Sequence, residues 1–209
     1  MGSHQVSAKG SVIMDVADWV QHSFDRVRPP GASEDGKTGI GGAWRMVEID
    51  LTDMGSVLEA LIEVDMGYSG IDAIVHLAAI PSPGQTSSSV QFNTNVSATH
   101  NILEAARKLR ITNLVLASSE TLIGMPFYPT LPSKLPITEE NERRPESAYS
   151  LSKLLGEVMA EEYARWDPHT KIISLRFSNI MLEHEYKDFE SWQDDPMKRY
   201  WNVYGYIDA

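Results

Sequence analysis

"IDAIVHLAA", residues 71–79, is a run of apolar and small residues interrupted by Asp72 and His76 alone. A half-exposed strand would place a polar residue at every second position. This run does not, so it reads as a strand buried on both faces, as in a parallel sheet covered by helices. Downstream, "NLVLASS" (113–119) and "KIISLRF" (171–177) read as further strands. Between them lie two helical stretches. The first runs from about 90 to 109 and carries Asn95, Ala98, Ile102, Ala105 and Leu109 on one side. The second covers about 147–165. Upstream, "WRMVEI" (44–49) reads as a strand and "TDMGSVLEALIEVD" (52–65) as a helix capped by Thr52 or Asp53. Residues 123–146, rich in proline and polar groups, read as a loop. Strands alternating with helices predict an α/β fold, a doubly wound parallel sheet.

The two ends fit this pattern less well. Residues 1–31 hold one amphipathic segment, "VIMDVADWVQHSF" (12–24), with no apolar strand before it. After residue 177 the chain turns aromatic and polar and stops without an obvious final element.

Composition excludes several classes of function. The 209 residues are 42% hydrophobic and 22% charged, ordinary globular proportions. The net charge of −11, from 18 basic and 29 acidic residues, argues against nucleic-acid binding. The chain has no cysteine, hence no disulfide framework and no thiolate chemistry. No apolar run approaches the length of a membrane span, and no signal peptide is visible. A cytoplasmic protein with no metal site is the expectation.

"SAYSLSKLLGE" (147–157) places Tyr149 and Lys153 one helical turn apart. Leu151, Leu154, Leu155, Val158 and Met159 form an apolar stripe on another side. Ser152, Gly156 and Ala160 form a small-residue side, expected to lie near the sheet. Ser150, Glu157 and Glu161 make the polar strip. A phenol is a weak acid–base group at neutral pH, and a nearby cation favours its ionised form. Such a pair could exchange a proton with a substrate oxygen. The spacing alone is a weak signal, and the alternative is a surface Tyr–Lys pair.

Other residues gather at strand ends, where open α/β sheets bind ligands. Ser118 and Ser119 follow a strand, either to polarise a substrate oxygen or to cap a turn. Small residues end "HLAA" (76–79) and permit close approach of a ligand to the backbone, while His76 reads as packed or hydrogen-bonded. Asn95 is expected buried with defined partners. Asp50 and Asp53 in "DLTD" either meet an adenine amino group or cap a helix.

The order and spacing of "DLTD", "HLAA", Asn95, "SSETLIG" (118–124), "YSLSK" (149–153) and "LRFSNI" (175–180) resemble the extended short-chain dehydrogenase/reductase family. They resemble in particular its NAD-dependent sugar epimerase, dehydratase and uronate dehydrogenase branch. The resemblance runs from about residue 44 to the C-terminus. It implies Tyr149 as catalytic acid/base, Lys153 as the cation that lowers its pKa and holds the nicotinamide ribose, and Ser119 as hydrogen-bond partner of the reacting oxygen. Asp50 and Leu51 would border the adenine, Ala78 and Ala79 would line the cofactor, and Asn95 would brace the site. Phe177 and Asn179 would lie near nicotinamide and substrate, with Glu120 and Arg176 as substrate contacts. The implied cofactor is NAD, with NADP not excluded, and the implied substrate is a sugar or nucleotide sugar. The family commonly dimerises, which implies a homodimer through helices 90–109 and 147–165.

Two departures stand out. The family opens on a strand and a glycine fingerprint, G-x-x-G-x-x-G, which lets the backbone approach a pyrophosphate. Here "SAKGSVI" (7–13) keeps only Gly10. Asp25 is the candidate ribose ligand, and it follows Gly10 more closely than the family spacing of ≈ 20 residues. The resemblance therefore implies a Rossmann-like domain over 1–177 with an atypical, degenerate first unit over 1–43. A small, incomplete substrate region follows over 178–209. The expected activity is hydride transfer at a carbinol carbon, as epimerase, dehydratase or dehydrogenase. The alternatives are a non-catalytic binding member of the same fold and an incomplete product of a longer gene.

Overall fold

The computed structural model describes residues 13–16, 46–62, 71–81, 85–127, 131–181, 186–191, 195 and 206–208. The elements in chain order are β1 (Ile13–Val16), β2 (Met46–Ile49), α1 (Met54–Ile62), β3 (Ile74–His76) and α2 (Ser88–Leu109). They continue as β4 (Asn113–Ser119), a 3-10 turn (Glu120–Ile123), α3 (Ala148–Trp166), β5 (Lys171–Phe177), β6 (Asn179–Met181), α4 (Asp188–Ser191) and β7 (Tyr206–Asp208).

Among the described residues every strand pairing is parallel. The central sheet has the order β3-β4-β5, and β1-β2 and β6-β7 form separate pairs. The ladder β4–β5 runs from Asn113↔Lys171 to Ser119↔Phe177. This is the expected α/β fold with a parallel sheet. β4 and β5 carry the bounds that the apolar runs predict. β1 lies inside the segment 12–24, where the sequence showed only amphipathicity.

Helices α2 and α3 pack on one face of the sheet. Leu114 and Leu116 of β4, Ile74 of β3, Ile102, Leu103 and Ala106 of α2, and Ala160 of α3 share one core. Burying each large side chain contributes roughly 1.5–3 kcal/mol. A second cluster, Leu122, Ile123 and Phe127, receives Leu154 of α3 and ties the segment after β4 to that helix. The opposite sheet face is more open than the sequence predicts. Val75 and Ile173 are 53% and 56% exposed, so β3 alternates where burial on both faces was expected.

Local chemistry sets the helix ends. The Ser87 hydroxyl accepts from the Val90 N–H at the start of α2. Ser147 and Ser150 form a reciprocal capping box at the start of α3. Asp53 caps α1 by accepting from the N–H of Ser56 at 2.9 Å.

The faces of α3 differ from expectation in two ways. The small-residue side meets α2 at Ser152 and Gly156, and only Ala160 joins the core under the sheet. A Cβ on Gly156 would lie 3.6 Å from the Thr99 methyl, and Asn95 of α2 donates to the Ser152 hydroxyl at 3.2 Å. The expected polar strip is also mostly buried. Ser150 and Glu157 are 1% and 6% exposed, and Glu161 alone of the three faces solvent. Ser150 is consumed by the capping box, and Glu157 is drawn inward by partners described below.

Candidate active site at the carboxyl ends of β3, β4 and β5

The site forms where β4 ends and α3 begins. Ser119 closes β4 and is the cap of the 3-10 turn, accepting from the Thr121 N–H at 3.2 Å. Its hydroxyl lies 3.0 Å from that of Thr121. The capping role and the site position are therefore combined in one residue. Tyr149 enters from the first turn of α3, is 9% exposed, and shares a side-chain hydrogen bond with Ser119. Lys153, one turn on, donates from Nζ to the Ala117 carbonyl at 2.7 Å. That nitrogen also lies 5.7 Å from the centre of the Tyr149 ring. Three candidate catalytic residues from two elements thus converge.

Burial dominates the electrostatics. It raises the Tyr149 phenol above its ordinary value, and the Ser119 hydrogen bond works the other way. The lowering expected from Lys153 does not prevail in this structure. Burial also pushes the Lys153 ammonium down to about 8. His76 is held at about 3 by burial first and by the Lys153 charge second. It is a neutral, packed histidine 3.3 Å from the Thr99 hydroxyl.

Asn95 braces the turn after β3. Its Oδ1 accepts from the Ile80 N–H at 2.8 Å, and its Nδ2 donates to the Ile80 carbonyl at 3.2 Å. Gln91 donates to the same carbonyl at 3.3 Å. Ala78 and Ala79, half-buried, sit just before this clamped turn. The Ser152 hydroxyl that Asn95 also touches donates to the Tyr149 carbonyl at 2.7 Å, so Asn95 is linked to the first turn of α3.

The remaining candidates scatter. Asp50 is exposed, and its carboxylate accepts from the N–H and hydroxyl of Thr52 at 2.8 and 2.7 Å, a turn-capping arrangement. The Leu51 side chain is fully buried in the core, which leaves only its backbone near a ligand, and Asn101 donates to its carbonyl at 2.9 Å. Phe177 lies opposite Ser119 in the β4–β5 ladder. Glu120 is half-buried, its carboxyl raised by burial against a hydrogen bond with Ser178. Asn179 opens β6 and pairs with Tyr206. Arg176 departs from the expected substrate contact. Its guanidinium is engaged by both Glu157 oxygens and the Glu139 carbonyl. Gly10 and Asp25 lie outside the described residues.

Sequence reasoning missed Gln91, Asn101, Thr121 and Glu157. Glu157 was detectable, being four residues after Lys153 and eight after Tyr149, on their side of the helix.

Comparison with known proteins decides the family. The model of the NAD dependent epimerase/dehydratase family matches residues 16–192. The chain belongs to that family. It is 30% identical over 139 residues to UDP-glucose 4-epimerase 2 of Oryza sativa subsp. japonica, covering 66% of this chain and 31% of that protein. It is 31% identical over 150 residues to the L-arabinose 1-dehydrogenase (NAD(P)(+)) of Haloferax volcanii, covering 68% and 55%. A crystal structure of a short-chain dehydrogenase/reductase superfamily protein from Agrobacterium tumefaciens with bound NAD superposes with a TM-score of 0.56. It is 29% identical and covers 77% of this chain and 45% of that one. This epimerase/dehydratase family member thus spans about a third to a half of the length of these curated relatives. Among its described residues, no helix is long and apolar enough to cross a membrane.

Proposed function

We propose that this chain carries the proton-transfer and cofactor-holding centre of a nicotinamide-dependent enzyme acting on a sugar or nucleotide sugar, as epimerase, dehydratase or dehydrogenase. The observation that carries the reading is the convergence of Ser119, Tyr149 and Lys153 at the end of β4. The kinds of relative it matches support the substrate class.

The residues present suit a dinucleotide. The turn after β3 has two small side chains, and Asn95 clamps its backbone at Ile80. Lys153 has three N–H donors, of which the Ala117 carbonyl takes one. The other two can hold ribose hydroxyls. When bound, the nicotinamide supplies the hydride chemistry. The protein's own work is proton transfer and orientation. Ser119 holds the reacting substrate oxygen beside the Tyr149 hydroxyl. Tyr149 takes a proton from a carbinol, or returns one to a carbonyl. Lys153, cationic at neutral pH, stabilises the phenolate that forms. Phe177 flanks Ser119 across the ladder, and Glu120 and Asn179 border the substrate side. Residues 178–209 contribute part of the substrate region. A homodimer through α2 and α3 accompanies this reading, as does a cytoplasmic location.

The test is fluorescence titration with NADH and NADPH, followed by NAD reduction with L-arabinose and conversion of UDP-glucose. Micromolar cofactor binding with turnover of either probe supports the proposal. The absence of binding up to millimolar cofactor rejects it. That outcome favours a non-catalytic member instead, a reading suggested by the single glycine left in "SAKGSVI".

A further inference from the structure

Glu157 is a carboxylate, 6% exposed, between α3 and the sheet. Its Oε1 accepts from the Ser118 hydroxyl at 2.6 Å and from Arg176 Nε at 2.9 Å, and its Oε2 accepts from Arg176 Nη2 at 2.9 Å. Ser118 and Arg176 are partners in the β4–β5 ladder, so two adjacent strands grip one helical side chain. Arg143 adds a weaker charge contact, with Nε 3.9 Å from Oε2, and also pairs with Glu161. Burial alone would raise the Glu157 carboxyl, yet the Arg176 fork and the Ser118 hydrogen bond overcome it and hold the group ionised.

The position of this contact matters. Ser118 is followed by Ser119, and Arg176 by Phe177. Glu157 stands one turn beyond Lys153 and two beyond Tyr149. Apolar packing tolerates sliding and rotation, whereas a forked ion pair fixes direction as well as distance. Lys153 reaches the carbonyl of Ala117, the residue before Ser118, at 2.7 Å with α3 in this position.

We propose that Glu157 is a positioning residue that, through Ser118 and Arg176, seats Tyr149 and Lys153 against the end of β4. The role rests on reading those two residues as the proton-transfer pair. Glu157 itself touches no substrate or cofactor. A buried ion pair exchanged for apolar side chains is often neutral in stability, so seating can be separated from folding.

The test is the double variant Glu157→Leu, Arg176→Leu, which removes one charge of each sign. The readout is the titration of Lys153, followed by the NMR shifts of its side-chain Cε and assigned with Lys153→Met. The ionisable groups that face Lys153 are His76 from β3 and Tyr149 from α3, while Glu157 stands one turn further along α3 with Arg176 from β5 and Arg143 from the preceding loop against it. In the wild type, burial holds Lys153 at about 8. Loosening the seat hydrates the ammonium and raises the midpoint by about one pH unit in the double variant. Ser118→Ala, which keeps the ion pair, gives a smaller rise in the same direction. It serves as the test if the double variant fails to fold. An unchanged midpoint in a folded variant overturns the proposal. NADH titration of the same samples judges the cofactor reading separately. A wild type that binds no NADH rejects that reading, while the Lys153 titration still decides the role of Glu157.

Discussion

Lys153 reaches from α3 to the carbonyl of Ala117, 2.7 Å away and two residues before Ser119. The bond spans the helix that carries Tyr149 and the strand that carries Ser119. It holds the two hydroxyl-bearing residues in one frame, and it desolvates an ammonium to do so.

That desolvation has a signature in stability. The folded value of Lys153, about 8, lies below the ordinary value of a lysine, so the unfolded chain holds the proton more tightly. Stability that is fully present above the unfolded value is lost as pH falls through the folded one. Denaturation of wild type and Lys153→Met between pH 7 and 10.5 should show wild type gaining on the variant as pH rises. A constant difference across that window would contradict the burial of a charged Lys153.

Asn95 is 4% exposed, and its side chain serves both backbone groups of Ile80 and the Ser152 hydroxyl. Alanine there leaves the Ile80 N–H without this acceptor in a partly buried turn. Asn95→Ala should lose about 3 kcal/mol in urea denaturation. NADH affinity should fall as well, because the turn carrying Ala78 and Ala79 loosens. A loss below about 1 kcal/mol would show that water replaces the amide.

The apolar stripe of α3 is divided in the structure. Leu154 packs on Leu122, Ile123 and Phe127, and Met159 packs on the main core. Leu151 and Val158 are 40% and 39% exposed. They are the residues to use against the proposed homodimer, since charging Leu154 would damage the single chain. Leu151→Glu with Val158→Glu should convert a wild-type dimer to monomer in sedimentation velocity. A wild type that already sediments as a monomer would refute the dimer.

The parts of the fold legible in sequence are those set by local pattern. The apolar runs gave β4 and β5, and helical periodicity gave α2 and α3 to within two residues. Strand β3 is three residues long, shorter than the apolar run, and Val75 and Leu77 are 53% and 54% exposed. β1 was hidden because four residues, Ile13–Val16, are too few to show a strand period within an amphipathic segment. Helical spacing puts Glu157 on the Tyr149–Lys153 side of α3, but its burial was not legible because Arg176 arrives from a strand 19 residues later. Asp50 was legible only as two alternatives, and local hydrogen bonds to Thr52 favour capping. Of the site, Ser119, Tyr149 and Lys153 were legible because each follows a strand or sits at helical spacing. The partner of Lys153 is a backbone carbonyl, which no sequence pattern marks.

The proton-transfer role of Tyr149 is the centre of the account, and Tyr149→Phe tests it most directly. The substitution keeps the ring and its burial and removes only the hydroxyl that meets Ser119. NADH affinity and turnover of L-arabinose or UDP-glucose should be measured on the same preparations of wild type and variant. The account predicts NADH affinity within about threefold of wild type and turnover lowered by about a hundredfold or more. Turnover retained at the wild-type level would contradict it.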